Sequence, residues 1–548
     1  MRKVDLALAI AIVAVVFVGN TLAGTYSGGD GSAENPFLIS NAADMNEIGG
    51  EPNDWDAHFV LINDIDLSGY TGTEFNLIGY YFSNPFIGVF EGNGHSISNF
   101  TYTATEVGYV GLFAYVGYEA IIKNLTLINP NVDGAICERP VGALVSYLEH
   151  GTIYNCNIEG GNIFGNNNTG GLVGSQYYGL VSGCHATCNI LSSTLAGGLV
   201  GRVRYGTILN CYATGDVEST IDDRGMAGGL VAYTLRATIL DCYATGTVKG
   251  KGTVSGDTGG LIGFDYQYTV ISNCYASGAV TGENRIGGLL GRGRHSTISN
   301  CYARGSVSGN NAIGGLVGFT DGCTISNSYS VGTVSGGTQT GAFIGNSHYY
   351  DGSFNSTFIK CFWDSTVNLS LDGIGNTTDP NVIDESTPEM QQENTFTDAG
   401  WDFVDETANG NDDIWIICDG VGYPVFWWQC YEPPIEVEVE IDPQTFNVHS
   451  NGKWISCRIW LPEDYDVADV NTNSILLEEQ IAPAQVWINE EEQVVMTKFS
   501  RAEVQDTIEA GEVELIVSGE LFDGAKFEGT DTMRVIDKGS RGKCSCDK

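Results

Sequence analysis

Between Gly170 and Val334 the chain repeats one phrase, and that period limits what it can fold into. Gly-Gly-Leu-Val-Gly stands at Gly170 to Gly174 and Gly197 to Gly201, with variants from Gly228, Gly259, Gly287 and Gly314. The replies take the form Ile-x-Asn-Cys-Tyr-Ala-x-Gly-x-Val at Ile208, Ile239, Ile271 and Ile298, and a further copy at Ile325 has Ser328 for cysteine. Leu172, Leu199, Leu230, Leu261, Leu289 and Leu316 lie 27, 31, 31, 28 and 27 residues apart. A fixed period of this length marks a solenoid or a propeller.

Within a repeat the apolar residues alternate. Cys301, Ala303, Gly305 and Val307 share one face and Tyr302, Arg304 and Ser306 the other, the period of a half-buried strand. A helical solenoid needs apolar residues at every third or fourth position, and a propeller blade needs about 40 residues. The period instead suits one coil of three short strands stacked about 4.8 Å above the last. A lone coil has no core; stacking gives each inward Leu or Val neighbours, at roughly 1.5–3 kcal/mol per buried side chain. Gly-Gly and Asn-Gly pairs are expected at corners where φ turns positive.

The Gly-Gly-Leu-Val-Gly and Asn-Cys-Tyr-Ala phrases resemble the GLUG motif of bacterial extracellular proteins. The resemblance covers roughly Gly108 to Asp364 and implies a right-handed parallel β-helix. It also implies a large surface protein, adhesin-like in some cases and joined to a peptidase domain in others.

Acidic residues outnumber basic ones by 67 to 25, a formal charge of −42, which disfavours nucleic acid and anionic membrane surfaces as partners. Such a surface either solubilises the chain or binds divalent cations, Ca²⁺ among them; no other cofactor is expected. Glycine supplies 73 of 548 residues without a collagen period, so tight corners account for it. Residues 1–23 read as a secretory signal: Arg2 and Lys3, an apolar run from Leu6 to Val18, then Thr21-Leu22-Ala23. That run is too short to span a bilayer, so the mature chain is expected to be secreted or surface-held, with no membrane span. Of 15 cysteines, Cys156, Cys184, Cys211, Cys242, Cys274, Cys301 and Cys361 share one repeat position. Stacked strands hold Cβ atoms too far apart for disulfides, so a ladder of buried thiols is expected. Cys418 with Cys430, flanking a turn, is the candidate disulfide, and Cys544 and Cys546 have no assigned role.

The expected organisation is all-β. Residues 24–365 form the β-helix with its N-terminal cap, in roughly ten or eleven coils. Residues 366–432, rich in aromatics such as Phe396, Trp401, Trp415, Trp427 and Trp428, form a C-terminal cap whose tryptophans cover the last coil. Its Phe396 to Phe403 phrase also resembles the closing segment of GLUG solenoids. Residues 433–537 read as an immunoglobulin-like β-sandwich with one short helix from Arg501 to Ile508. Residues 538–548 form a basic disordered tail.

Catalytic motifs are missing. The histidines never form His-Glu-x-x-His, no nucleophile elbow or phosphate loop occurs, and the EF-hand-like start at Asp405 ends on Ile416 where a glutamate is required. A polysaccharide-degrading lyase or hydrolase is the alternative reading, since β-helix enzymes of that kind need clustered carboxylates on one groove. Asp222-Asp223-Arg224 is the densest such triplet, with Asp265 as a further carboxylate. Two exterior features point instead to binding of an extracellular polysaccharide or a surface protein. Tyr212, Tyr243, Tyr275, Tyr302 and Tyr329 are expected to stack outward, either bracing the sheet or forming a platform. Tyr177, Tyr178, Arg202, Arg204, Tyr205, Tyr266, Tyr268, Arg292 and Arg294, read as loop residues after each Gly-Gly-Leu-Val-Gly, should gather on one edge. Tyrosine and arginine are the residues enriched in binding hot spots.

Overall fold

The computed structural model describes residues 24–537 apart from 254, 255, 349–354, 405, 411, 419–421, 431–433, 451, 463, 464, 479, 506, 509, 523 and 524. The signal segment, the basic tail, Asp405, Cys544 and Cys546 lie outside the described residues. Two compact units divide between Pro424 and Val425.

The first unit is a parallel β-solenoid of about ten turns. In one coil the chain runs through Thr207–Leu209 and Tyr212–Ala213, then Val217–Ser219 and Met226–Gly228, then Val231–Leu235. The register is the sequence period made visible: Ile208, Ile239, Ile271, Ile298 and Ile325 pair in succession. These isoleucines and the repeat leucines are fully buried in one core.

The corners are built differently from the expectation. None of the repeat Gly-Gly pairs has positive φ; the second glycine is there because the next coil touches it. A Cβ on Gly260 would lie 2.0 Å from the Gly288 carbonyl oxygen and 2.9 Å from the Ala276 Cβ. Left-handed backbone falls at the residue before each cysteine or its serine replacement: Asn210, Asn273, Asn300 and Asn327 have φ of 51°, 53°, 51° and 46°, and Asp241 has 53°. Their short polar side chains tolerate that conformation and join coil to coil. The Asn300 amide donates to Asn273 Oδ1 at 3.2 Å, and that of Asn273 to Asp241 Oδ1 at 3.0 Å.

The cysteine ladder points inward, free and buried. Each thiol donates to the carbonyl two residues earlier, Cys211 to Leu209 at 3.1 Å and Cys242 to Leu240 at 2.9 Å. Ser328 does the same to Ser326 at 2.7 Å and accepts the Cys301 N–H at 3.1 Å, which explains why serine replaces cysteine there. Burial pushes Cys188 and Cys361 up to about 12, and Cys156, Cys242 and Cys301 are likewise raised by burial. The eleven free cysteines among the described residues are all buried, and they are expected to resist a thiol reagent in the native chain and to react in denaturant. Rapid native labelling mapped by peptide to any of these eleven positions would contradict their burial. Cys418 and Cys430 are both disulfide-bonded.

The helix Ala42–Gly50, capped by the Asn41 side chain, buries Met45 and Ile48 against the first coils. At the other end Val382–Glu385 extends the ladder on Cys361–Asp364, and Ile374 bridges to Ile344. In the aromatic segment that follows, Phe396, Trp401 and Trp415 pack against Tyr302, Tyr329 and Phe362 of the last coils.

The second unit holds two small, mainly antiparallel sheets. One orders Glu438–Asp442, Trp454–Trp460, Val494–Ser500 and Gln485–Asn489; the other centres on Gly511–Leu521 and Lys526–Ile536. Alternating residues such as Ile455, Cys457 and Ile459 and, facing them in one cluster, Leu515, Val517 and Val535 make its core. The short helix covers Arg501–Gln505, less than the sequence suggested.

Candidate functional site

Nine strands, among them Val173–Tyr177, Val200–Arg204, Val231–Leu235, Ile262–Asp265, Leu290–Arg294 and Val317–Asp321, stack into one parallel sheet. Arg202, Arg204, Arg292 and Arg294, expected in loops, lie in these strands. Alternation sends every second residue outward, so the fifth position after each first glycine forms a column: Ser175, Arg202, Tyr233, Phe264, Arg292, Phe319. Arg202 lies over the Tyr233 ring at 5.1 Å, and Arg292 lies between Phe264 at 5.1 Å and Phe319 at 5.3 Å. Burial against these rings lowers the pKa of both arginines, because desolvation disfavours the charge. Among the described residues Arg202, Arg204 and Arg292 form no ion pair. Their buried Nε atoms make no hydrogen bond. Arg294 differs, since its Nε donates to Asp321 at 3.2 Å while its guanidinium lies over Tyr266.

The adjoining corner carries a second stack. Tyr118, His150, Tyr178 and Tyr205 follow one another at 4.1, 4.5 and 5.0 Å with planes within 17°. Arg204 lies over both Tyr177 and Tyr205. Arg236 then lies over Tyr268, which stacks on His295 at 5.4 Å. His150, Tyr178, Tyr205, Arg236, Tyr268 and His295 share a left-handed φ of 50–62°, so one backbone bend aims all six side chains the same way. The edge residues therefore gather in two groups, Tyr177, Tyr178, Arg204 and Tyr205 early and Tyr266, Tyr268 and Arg294 later. The sequence reading overlooked Tyr118, His150, Arg236, Phe264 and Phe319; a count from the nearest Gly-Gly finds Arg236, Phe264 and Phe319, while the coils of Tyr118 and His150 carry no Gly-Gly pair.

The tyrosine ribbon is a regular stack. From Tyr212 through Tyr243, Tyr275 and Tyr302 to Tyr329 the rings sit 4.7, 4.8, 4.9 and 5.1 Å apart, within 7° of parallel. Only its early part faces solvent. Tyr302 and Tyr329 are 1% and 0% exposed, covered by Trp415, Trp401 and Arg304, whose guanidinium donates to the Tyr329 hydroxyl at 2.8 Å and the Pro424 carbonyl at 3.0 Å. Burial pushes the Tyr329 phenol up to about 12. These two tyrosines are part of the fold and are corrected out of an exterior platform.

The carboxylates considered for catalysis do not converge. Asp265 has the inward parity of its strand and is fully buried, accepting hydrogen bonds from Thr234, Thr269 and Ser296; burial pushes it up to about 6. Asp222 and Asp223 are exposed in a loop. Among the described residues no group of three or more His, Cys, Asp or Glu is placed to hold a metal ion. Nor is any described helix long and apolar enough to cross a membrane.

Comparison with known proteins adds the family context. The GLUG motif model matches residues 192–218, 223–249 and 309–335. A protein of Evansella cellulosilytica named for a Gly-rich membrane protein is 33% identical over 162 residues, 28% of this chain and 18% of the relative. Halomucin of Haloquadratum walsbyi is 34% identical over 163 residues, 29% of this chain and 2% of the relative. The matched segments thus span a small part of those relatives. A Bacteroides ovatus structure assigned as an immunoglobulin A1 protease aligns over 74% of this chain and 95% of its own, at 18% identity and a TM-score of 0.38. With three matched motifs lying in coils of one register, the chain is a parallel β-solenoid that carries GLUG-motif repeats.

Proposed function

We propose that this is a secreted or surface-held, adhesin-like protein whose nine-stranded face binds an extracellular polysaccharide. The observation that carries the reading is the exterior column of Arg202, Tyr233, Phe264, Arg292 and Phe319. Arginines stacked on rings, without carboxylate partners, in a chain of charge −42 suit an extended ligand that offers both sugar faces and acidic groups. The names of the relatives, a membrane protein and halomucin, agree with a place at the cell surface. We further infer a right-handed coil, the hand of almost all parallel crossovers, and an immunoglobulin-like sandwich for the two small sheets.

The test is light scattering after size exclusion of the chain mixed with acidic polysaccharides, with and without Ca²⁺. Co-elution with polymer of unchanged mass is expected. Replacing Arg202, Arg204, Arg292 and Arg294 by alanine together should weaken retention at least tenfold, a loss of about 1.4 kcal/mol. A fall in polymer mass would support the lyase or hydrolase reading instead, and undiminished retention by the fourfold variant would remove the column from the site.

A further inference from the structure

The early coils hold a cleft of about 590 Å³ between the loop that carries Tyr80 and Tyr81 and the segment around Tyr102 to Tyr109. Tyr80, Tyr81, Tyr102 and Tyr109 line it together with Glu106 and Arg139. The loop is held at both ends: Ile78 bridges to Phe113 and Phe86 to Val116. Within it the Tyr80 N–H donates to the Asn84 carbonyl at 3.1 Å, and Asn84 returns a bond to Tyr81 at 2.8 Å. A built loop thus holds Tyr80 77% exposed beside a cavity, although an aromatic ring gains most by burial.

Arg139 makes the cleft specific. Its guanidinium carbon lies 5.9 Å from the Tyr81 ring centre and 5.4 Å from that of Tyr109. Among the described residues it forms no ion pair. A guanidinium beside aromatic rings can still take a carboxylate on its N–H fork with two parallel hydrogen bonds. On the adjoining coil Glu149 accepts a hydrogen bond from the Tyr115 hydroxyl at 2.7 Å.

We propose that this cleft is a binding site for a carboxylated sugar, a uronate. The sugar ring lies on the tyrosine faces, its carboxylate pairs with Arg139, and Glu106 accepts from its hydroxyls. The ligand class rests on the polysaccharide reading above, and the place of the cleft deepens it. Tyr109 leads through Tyr115 at 5.5 Å and Tyr147 at 5.0 Å onto the exterior column that continues at Arg202. The cleft would hold one residue of a polymer whose remainder runs along the nine-stranded face.

Calorimetric titration of the full chain with trigalacturonate and with neutral maltotriose tests this. Trigalacturonate should bind and maltotriose should bind at least tenfold more weakly. Arg139→Gln should cut trigalacturonate affinity at least tenfold with an unchanged circular dichroism spectrum, since Arg139 is exposed. Tyr80→Ala, equally exposed, should weaken it too. Polymer retention by the fourfold arginine variant in light scattering reads the nine-stranded face, and trimer affinity of Arg139→Gln in calorimetry reads the cleft, so failure of the one reading is told apart from failure of the other. No trigalacturonate binding, equal binding of maltotriose, or an indifferent Arg139→Gln would each overturn the proposal.

Discussion

Gly260→Val is expected to open the middle of the solenoid. The added Cβ would meet the Gly288 carbonyl oxygen at 2.0 Å and the Ala276 Cβ at 2.9 Å, and both belong to the core wall of the stack. Overpacking a core by a few methylenes costs about 1–3 kcal/mol. Here the obstacle is backbone held in a ladder on both sides, so the loss should reach at least ~3 kcal/mol. A stack of nearest-neighbour coils does not unfold as one two-state unit, so limited proteolysis is the better readout. New cleavage in the coils around residue 260 should appear at protease levels that leave the native chain intact. Gly69→Val is the control, because nothing lies within 4 Å of its Cβ position. Equal resistance of the two variants would show that the coils are not in this contact.

Trp401→Ala is expected to uncover the side of the last coils. Trp401 is fully buried, its ring centre 4.8 Å from those of Trp415 and Phe396 and 5.6 Å from that of Phe362. Its indole N–H donates to the Lys360 carbonyl at 3.1 Å. Truncating a buried tryptophan costs about 3–5 kcal/mol, and the cost should fall locally, on the aromatic cluster that seals Tyr302 and Tyr329. Red-shifted tryptophan emission and early proteolysis between residues 390 and 424 are expected, with the early coils unchanged. Native emission and native resistance together would show that the cluster does not depend on this ring.

The period in the sequence carried the stack itself, because identical phrases must find identical neighbours in a parallel coil. The inward thiols followed from the same rule. Three features were harder to read. The Gly-Gly pairs looked like turn signals, whereas their reason is the approach of another coil, which a single repeat does not show. The left-handed bends fell to asparagine, histidine, tyrosine and arginine, residue types whose positive φ is chosen by context. Asp265 was weighed as an exterior carboxylate although it stands one place after Phe264, on the buried side of an alternating strand. The burial of Tyr302 and Tyr329 depends on a segment some 70 to 120 residues later, and periodicity within the repeats has no term for it. The cleft at Arg139 escaped for a related reason: its rings come from coils whose phrases have drifted furthest from the repeat.

The residue-for-residue register between coils has a genetic consequence. Adjacent coils meet through equivalent positions, so a neighbour two coils away presents the same partners as the one removed. Losing or gaining one whole repeat leaves every seam matched, while a shift by a few residues would match none. Unequal exchange between similar gene segments can therefore change the number of coils in single steps. Each step adds or removes one ring from the tyrosine stack, one from the arginine and aromatic column, and one corner side chain. The extent of such a surface is set by counting, and single substitutions adjust only the chemistry of each rung.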